Sequence, residues 1–308
     1  MMKMKKIIAV VIILNIFISQ KIFAKDPGTT SAQFLKLGVG ARAISMGKAY
    51  ASLANDVNSI YWNPAGIKSL YTVQISAMHA IWIENIYYSN IAFSKSIFSG
   101  QAAMGIKYLS SGKIKSYDNN GTEVGNYSAY DLAVTIGYAR DIKTLSTGLS
   151  IKLLNSKIDD EMALGWGIDA GIQGGYHLFQ KRIRYGIALK NLGIGLKFNK
   201  IRDPLPAVLC TGLSSAFLNN TILASFDINI PFDNSLYSAF GIEYKKDIGQ
   251  ISLKLRGGFN TKNLSDLDFV SSLSAGLGIS YDSWNIDYAW VPLWEFNSTH
   301  RLSVTRNF

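Results

Sequence analysis

From about Val73 to the C-terminus, the chain alternates large apolar residues with small or polar ones. Leu132, Val134 and Ile136 are separated by Ala133 and Thr135, and similar runs recur along the chain. A period of two is the period of a β-strand whose two faces differ. Segments rich in Gly, Asn, Asp and Ser separate the runs, and such segments are typical of turns. The pattern therefore predicts an all-β, antiparallel chain.

About fourteen such runs are present, each of roughly nine to eleven residues, which is enough to cross a bilayer at a tilt. An even number of strands is typical of a single-chain bacterial barrel whose two ends lie on one side of the membrane. The predicted strands lie near residues 72–82, 86–95, 100–109, 129–139, 145–155, 165–177, 182–191, 206–217, 221–230, 236–245, 250–258, 271–281, 284–291 and 300–308.

A soluble β-sandwich is the alternative fold, but its outward face would carry many charged side chains. Here the less apolar face is mainly Gly, Ala, Ser and Thr, and only 17% of the residues are charged. This composition favours a transmembrane antiparallel β-barrel whose apolar face meets lipid. Aromatic residues near the ends of the runs, Tyr87, Tyr88, Trp290 and Trp294, are predicted to lie at the membrane interfaces.

The N-terminus has the three parts of a secretory signal peptide: a basic start, an apolar centre from Ile7 to Ile18, and a small residue, Ala24, before a polar segment. We predict a signal peptide over residues 1–24 with cleavage after Ala24. A membrane anchor is the alternative, but the apolar stretch would span only about 18 Å of a roughly 30 Å hydrocarbon core.

Composition limits the partners of the mature chain. Removing Lys3, Lys5, Lys6 and Lys21 leaves 31 − 4 = 27 basic residues against 21 acidic ones. The basic residues are scattered and do not predict a nucleic-acid partner. Cys210 is the only cysteine, which excludes a disulfide framework within the chain.

Residues 25–70 lack the alternation and are too apolar for a free tail. Several glycines and an Asn-Pro step predict short helices and tight turns. We therefore predict an N-terminal plug over 25–70, followed by the barrel over 71–308. Within the plug, Pro64 restricts the backbone of Asn63, and the Asn63 amide could bond backbone groups of the lumen. The motif Asn63, Pro64, Ala65 and Gly66 is equally compatible with a plain turn that leads into the first strand.

Two charged plug residues, Arg42 and Asp56, are candidates for gating or anchoring. They could pair with lumen groups or with each other. The simpler interpretation, which we favour, is that they only satisfy buried polar groups.

No catalytic or metal signature is present. His79, His177 and His300 lie in different predicted strands, and no motif for a nucleophile, a zinc site or a phosphate-binding loop occurs. Asp159, Asp160 and Glu161 are better explained as a solvated turn than as a cation site. We predict that the chain is not an enzyme and carries no cofactor or metal.

The C-terminus ends an alternating strand with Leu302, Val304 and Phe308. A terminal Phe resembles the signal that barrel-assembly machinery reads in outer-membrane proteins, and it implies that machinery as a partner. Arg306 departs from that signal, because an aromatic residue is usual there. A long arginine at the membrane edge can snorkel.

The run from Phe34 to Gly66, FLKLGVGARAISMGKAYASLANDVNSIYWNPAG, resembles the start of the PorV/PorQ family of outer-membrane proteins, relatives of the FadL long-chain fatty-acid transporters. Later segments such as Gly241-Ile242-Glu243-Tyr244 and Leu255-Arg256-Gly257-Gly258-Phe259 resemble later blocks of that family. The resemblance implies a fourteen-stranded barrel with the N-terminal segment as a plug, in contact with the lipid of the outer membrane of a diderm bacterium.

Three functions are compatible with the predicted barrel, and the resemblance favours the first two. The first is passage of hydrophobic or amphipathic small molecules across the outer membrane. The second is a non-enzymatic docking or shuttle role for secreted proteins in a type IX-like secretion system. The third is an open diffusion porin, which the predicted plug disfavours. The sequence does not separate the first two.

Overall fold

The computed structural model describes residues 27–81, 86–178, 181–264, 269–293 and 298–308. The predicted signal peptide, residues 1–24, and the predicted interfacial residue Trp294 lie outside the described residues. Within them, a closed antiparallel barrel is formed by fourteen strands, each paired with its neighbours around the ring. The barrel closes where Gln74–Ile81 pairs with Ser298–Asn307. The predicted number of strands is confirmed.

The strands, in chain order, are β1 (Gln74–Ile81), β2 (Tyr87–Ile97), β3 (Gly100–Tyr117), β4 (Glu123–Ile142), β5 (Leu145–Ile158), β6 (Glu161–Leu178), β7 (Lys181–Ile194), β8 (Lys197–Phe198), β9 (Ile201–Arg202), β10 (Val208–Phe217), β11 (Ile222–Pro231), β12 (Tyr237–Ile248), β13 (Ile251–Asn260), β14 (Leu273–Tyr281), β15 (Trp284–Pro292) and β16 (Ser298–Asn307). The short strands β8 and β9 form a separate hairpin in the connection between β7 and β10.

The burial pattern of the wall is the reverse of that in a soluble protein. On β5, Leu149 and Leu153 are each 62% exposed, whereas Ser150 and Lys152, on the opposite face, are buried. The apolar face thus points outward and the polar face points into the lumen, as expected where lipid surrounds the barrel. The soluble sandwich is therefore excluded, and the transmembrane barrel is the fold.

The two ends of the barrel differ in their connections. At one end, here called the turn end, two-residue turns at 98–99, 143–144 and 282–283 join the strands, and β1 begins and β16 ends there. At the other end, here called the loop end, most connections are longer, among them residues 195–207 and 261–272, although β5 and β6 are joined there by the two-residue turn 159–160. Both ends of the barrel chain therefore lie on one side, as an even number of strands requires.

Strands β3 and β4 are longer than predicted, with 18 and 20 residues. Their pairing extends at the loop end as far as Tyr117 and Glu123, after a register shift that follows Ser110. This part of the hairpin carries Lys113 and Lys115 on either side of Ile114. The predicted strand stops at residue 109 because Ser110, Ser111 and Gly112 resemble a turn.

Residues before β1 lie inside the barrel as short helices and turns. They comprise the 3-10 helix Gln33–Lys36, the α-helices Ala41–Ser45 and Ser59–Trp62, and the 3-10 helix Pro64–Ser69. Two further 3-10 helices, Thr261–Asn263 and Val270–Ser272, lie at the loop end. In the described part of the chain, no helix is long and apolar enough to cross a membrane.

The interfacial prediction fails for Tyr88. Tyr87 faces outward and is 44% exposed, but Tyr88 is fully buried in the lumen, where its hydroxyl donates to the Leu37 carbonyl oxygen at 3.3 Å. Adjacent residues of a strand face opposite sides, so an aromatic pair cannot place both rings at the interface. Trp290, at 38% exposure, does face outward.

Candidate functional site

The segment 27–70, here called the plug segment, is held in the lumen by polar side chains of the wall. Asp227 of β11 accepts hydrogen bonds from the backbone amides of Tyr50 and Ala51, each at 2.7 Å. Gln173 of β6 donates to the carbonyl oxygens of Ala51 and Ala54 at 3.0 and 3.1 Å. These contacts satisfy backbone groups that have no strand partner inside the barrel. The plug is thereby bonded to two strands that lie three positions apart in the ring of fourteen.

Other wall contacts extend this pattern around the ring. The Ala41 amide donates to Ser303 Oγ at 2.8 Å, the Gly47 amide to Ser274 Oγ at 3.1 Å, and the Val57 amide to Gln74 Oε1 at 2.6 Å. The helix Ala41–Ser45 packs against β13 to β16, and the helix Pro64–Ser69 against β3 to β6.

Inward-facing glycines let the plug backbone approach the wall closely. A Cβ atom on Gly258 would lie 1.9 Å from the Gly47 amide nitrogen, and one on Gly186 would lie 2.1 Å from the Ala51 carbonyl oxygen. Real Cβ atoms do not occupy such positions, and backbone atoms cannot rotate away as a side chain can. Glycine is therefore required at these wall positions by the plug.

The Asn-Pro-Ala-Gly motif joins two plug segments to the wall. Asn63 Oδ1 accepts from the Ala65 amide at 3.1 Å and so caps the helix Pro64–Ser69, while Asn63 Nδ2 donates to the Ala51 and Ile172 carbonyl oxygens at 2.8 and 3.1 Å. Pro64 stands at the first helical position, which tolerates its missing amide hydrogen. A Cβ on Gly66 would lie 2.2 Å from the Ala54 carbonyl oxygen. The geometry includes both a turn and a wall contact, and any functional role of the motif stays a prediction.

Substituting Asn63 with alanine should loosen the plug near the turn end. The change removes a fully buried amide with three backbone partners, and each lost hydrogen bond should cost about 0.5–1.5 kcal/mol. Hydrogen exchange at residues 51–66 should be faster, as mass spectrometry would show. Asn58→Ala is the matched control, because the hydrogen bond of Asn58 to Ser76 is long, at 3.4 Å. Equal exchange in the two variants would contradict this account.

A buried ionic network, here called the Arg42 network, links the plug to three strands. Arg42 Nε lies 3.1 Å from Glu243 Oε2 of β12. The same carboxylate oxygen lies 2.6 Å from Arg256 Nε of β13, and Arg256 Nη1 lies 2.7 Å from Asp287 Oδ1 of β15. The Arg256 side chain is completely inaccessible to solvent. Buried charges persist only when they are paired and hydrogen-bonded, and here Glu243 pairs with both arginines.

Asp56 joins this network through Tyr50. The Tyr50 hydroxyl donates to Asp56 Oδ2 at 2.7 Å, and Arg42 Nη1 donates to the Tyr50 hydroxyl oxygen at 3.3 Å and to Asn55 Oδ1 at 2.8 Å. Arg42 thus pairs with the wall, and Asp56 with another plug residue. A role of Arg42 and Asp56 in gating or in anchoring the plug stays a prediction.

Lysines surround a cavity of about 70 Å³ between the plug and the wall on the loop-end side. We call it the lysine cavity. Its lysines come from five separate elements, and its aromatic rings come from Tyr61, Trp62 and Tyr237. The lysines are Lys36, Lys48, Lys107, Lys190 and Lys262. Among the described residues, Asp233 is the one carboxylate that lines it.

Three of these lysines lie against aromatic rings. Lys107 Nζ is 4.4 Å from the centroid of the Tyr61 ring, and Lys190 Nζ is 5.3 Å from the Trp62 ring. The third is Lys262, whose Nζ is 5.8 Å from the Tyr237 ring centroid. Such cation–π contacts partly compensate a buried ammonium group. In the plug, burial together with the charges of Lys262, Arg301 and Lys190 lowers the pKa of Lys48 to about 7. The cavity is therefore crowded with positive charge.

Asp233, in the loop between β11 and β12, is already paired. Lys36 Nζ lies 2.6 Å and Thr30 Oγ1 2.5 Å from Asp233 Oδ2. Burial would raise the pKa of the Asp233 carboxyl, but the hydrogen bonds from Lys36 and Thr30 and the charge of Lys36 outweigh burial and lower it. The carboxylate is thus held charged by Lys36.

A second cavity, of about 280 Å³, adjoins the first. We call it the apolar cavity. Both cavities include Asn191 and Asp233, and the apolar cavity is lined further by Leu192, Pro204, Leu205, Ala207 and Phe232. It lies where the pairing of β7 with β10 ends at Lys190 and Val208. Beyond that point, residues 204–207 fill the space beside β7.

The remaining candidates from the sequence lie apart from both cavities. His79 and His300 face outward and bond Ser89 and Tyr288, respectively. Asp159 and Asp160 form the exposed turn between β5 and β6. In the described part of the chain, no cluster of His, Cys, Asp or Glu has the geometry of a metal site.

At the C-terminus, Leu302 and Phe308 face outward, with exposures of 51% and 56%. The Arg306 guanidinium carbon lies 4.5 Å from the Phe308 ring centroid and 4.9 Å from that of Trp284. Arg306 therefore lies along an aromatic surface at the turn end. Recognition of Leu302, Val304 and Phe308 by assembly machinery stays a prediction.

Sequence reasoning did not identify the wall residues that hold the plug or the lysine cavity. A signal was present, because Asp227, Glu243, Arg256 and Asp287 are charged residues in the middle of alternating strands. A charged residue on the less apolar face of a membrane strand points into the lumen. The pattern alone does not tell which of them contact one another.

The comparisons with known proteins are consistent with this fold. Residues 9–159, slightly less than half of the chain, match the model of an uncharacterised protein family, UPF0164. No curated protein matches the chain in sequence.

Several solved structures share the barrel. The chain is similar to the toluene transporter TodX of Pseudomonas putida (14% identity, TM-score 0.60, covering 88% of this chain and 99% of TodX). It is also similar to the toluene transporter TbuX of Ralstonia pickettii (15%, 0.59, 88% and 98%) and to a FadL homologue of Pseudomonas aeruginosa (11%, 0.54, 92% and 99%). At these identities the likeness shows the fold, which is a plugged transmembrane barrel. Membership of the PorV/PorQ family stays a prediction.

Proposed function

We propose that this chain is an exported outer-membrane channel that passes hydrophobic or amphipathic small molecules, with the plug segment controlling access. The observation that carries the proposal is a lipid-facing barrel whose lumen is occupied by a segment held through hydrogen bonds and buried ion pairs. Such a barrel suits selective passage better than open diffusion. TodX and TbuX, two barrels of similar fold, are toluene transporters, which supports the same class of cargo here.

The proposed orientation follows from the connections. Short turns and both ends of a bacterial barrel lie on the periplasmic side, so the turn end is periplasmic and the loop end faces outward. The proposed division is a signal peptide over 1–24, cleaved after Ala24, a plug over 25–70 and a barrel over 71–308. A docking role in protein secretion stays a prediction, and no contact among the described residues favours it.

Deleting the gene should lower the uptake of such molecules several-fold. The measurement is the initial rate of uptake of radiolabelled toluene and of a long-chain fatty acid by intact cells of the native host. Complementation with the wild-type gene should restore the rate, and so should Gly257→Ala, a lipid-side change away from the plug. Unchanged uptake in the deletion strain would overturn the transport proposal, and loss of a secreted protein instead would favour the docking role.

A further inference from the structure

We propose that the lysine cavity binds the phosphate headgroup of an amphipathic ligand, whose apolar part lies in the adjoining apolar cavity. This inference rests on the proposed function and names a class of ligand for it. It differs from the neutral hydrocarbon toluene that TodX and TbuX transport.

The charge balance of the cavity favours an anion. With Lys262 left aside, four lysines and one carboxylate line it, which leaves an excess of 4 − 1 = 3 positive charges when all are ionised. The carboxylate, Asp233, is bonded to Lys36 and Thr30. Burial, and after it the charges of Lys262, Arg301 and Lys190, lower the pKa of Lys48 to about 7. A bound anion would relieve this repulsion, and that relief is a source of affinity.

The number of converging ammonium groups favours phosphate over carboxylate. Lysine is a compact point charge with three donors. The cavity is lined by lysines and by no arginine among the described residues. Several convergent ammonium groups suit a group with two negative charges and three acceptor oxygens.

The volumes of the two cavities indicate which part of the ligand each one holds. At about 70 Å³ the lysine cavity is far smaller than the roughly 300–1,000 Å³ of pockets that enclose a whole drug-sized ligand. It has room for a compact headgroup and not for an attached chain. The apolar cavity, at about 280 Å³, meets it at Asn191 and Asp233 and presents Leu192, Leu205 and Phe232 to a chain.

The test is calorimetric titration of the full mature protein in phosphatidylcholine nanodiscs, with empty nanodiscs subtracted. The probes are octyl phosphate, octanoate, octanol and inorganic phosphate. Octyl phosphate should bind at least tenfold more tightly than each of the other three. Equal binding of octanol would overturn the anion site, equal binding of octanoate would overturn the phosphate assignment, and equal binding of inorganic phosphate would overturn the role of the apolar cavity.

Two variants locate the site. Lys107→Met and Lys190→Met, which come from different strands, should each weaken octyl phosphate binding at least threefold and leave octanol binding unchanged. Lys115→Met is the matched control, because Lys115 is exposed on the β3–β4 hairpin and paired with Glu123. Heat-modifiable migration in gels verifies that each barrel is folded. If one variant fails to fold, binding by the other variant still tests the proposal. Unchanged binding in a folded variant would contradict the proposal.

The binding experiment and the uptake experiment can fail separately. Toluene uptake that depends on the gene, together with no preference for octyl phosphate, would retain the channel and remove the phosphate site. Specific octyl phosphate binding without gene-dependent uptake would retain the phosphate site and remove the channel.

Discussion

Substituting Gly258 with alanine is expected to displace the plug, because the new Cβ would lie 1.9 Å from the Gly47 amide nitrogen and 2.5 Å from the Gly47 Cα. Both atoms belong to backbone, so the plug must move. The Gly47 contacts to Ser274 Oγ and Asn260 Nδ2 would then be lost as well. Overpacking of this kind costs about 1–3 kcal/mol. Single-channel conductance in planar bilayers should rise several-fold as the lumen opens.

Gly257→Ala is the matched control on the same strand. Its Cβ would have Ile242 Cγ2 as its nearest neighbour, at 3.7 Å, an ordinary contact distance. Both variants replace a glycine of the same strand with alanine, so the effect of that change on strand propensity is the same in each. The two positions differ in the face of the strand that they occupy. Equal conductance in the two variants would show that the plug does not depend on close approach to the wall.

Replacing Glu243 with glutamine should destabilise the folded protein by about 3–5 kcal/mol, the range for removing one partner of a buried ion pair. Glu243 serves both Arg42 and Arg256, and the Arg256 side chain is inaccessible to solvent. Without the carboxylate, Arg256 keeps only Asp287 as a charged partner within the network, and Arg42 loses its link to the wall. The measurement is the free energy of unfolding in urea with the protein in lipid vesicles.

Glu123→Gln tests the same chemistry at the surface. Glu123 pairs with Lys115 at 2.7 Å, but the two side chains are 44% and 61% exposed. Exposed ion pairs contribute about 0–1 kcal/mol, so the free energy of unfolding should change by less than about 1 kcal/mol. A loss in Glu123→Gln as large as that in Glu243→Gln would mean that burial of the Arg42 network is not the cause.

The inward face of the wall both bonds the plug and leaves room for it. Wall side chains such as Asp227 and Gln173 bond plug backbone, and wall glycines such as Gly186 and Gly258 make room for it. The inward face of the wall is therefore complementary to the plug in shape and in hydrogen bonding. This explains why small residues are so frequent on the less apolar face of the strands.

The sequence by itself determined the number of strands, the face of each strand that meets lipid, and the existence of an apolar segment before β1. These properties are local. The period-two pattern can be recognised in a stretch of about ten residues. In a membrane the pattern is stable because lipid surrounds the apolar face of every strand. The pattern did not predict the extension of β3 and β4 beyond Ser110, because Ser110, Ser111 and Gly112 resemble a turn.

Only the tertiary structure decided which inward residues meet. Lys107, Lys190 and Lys262 are far apart in the chain and lie in or after β3, β7 and β13, and they surround one cavity because the sheet closes on itself and the plug crosses the lumen. Arg42 reaches Glu243 across 201 residues of sequence for the same reason. Closure of the barrel and insertion of the plug are non-local. No short sequence pattern therefore predicts which charged residues they bring together.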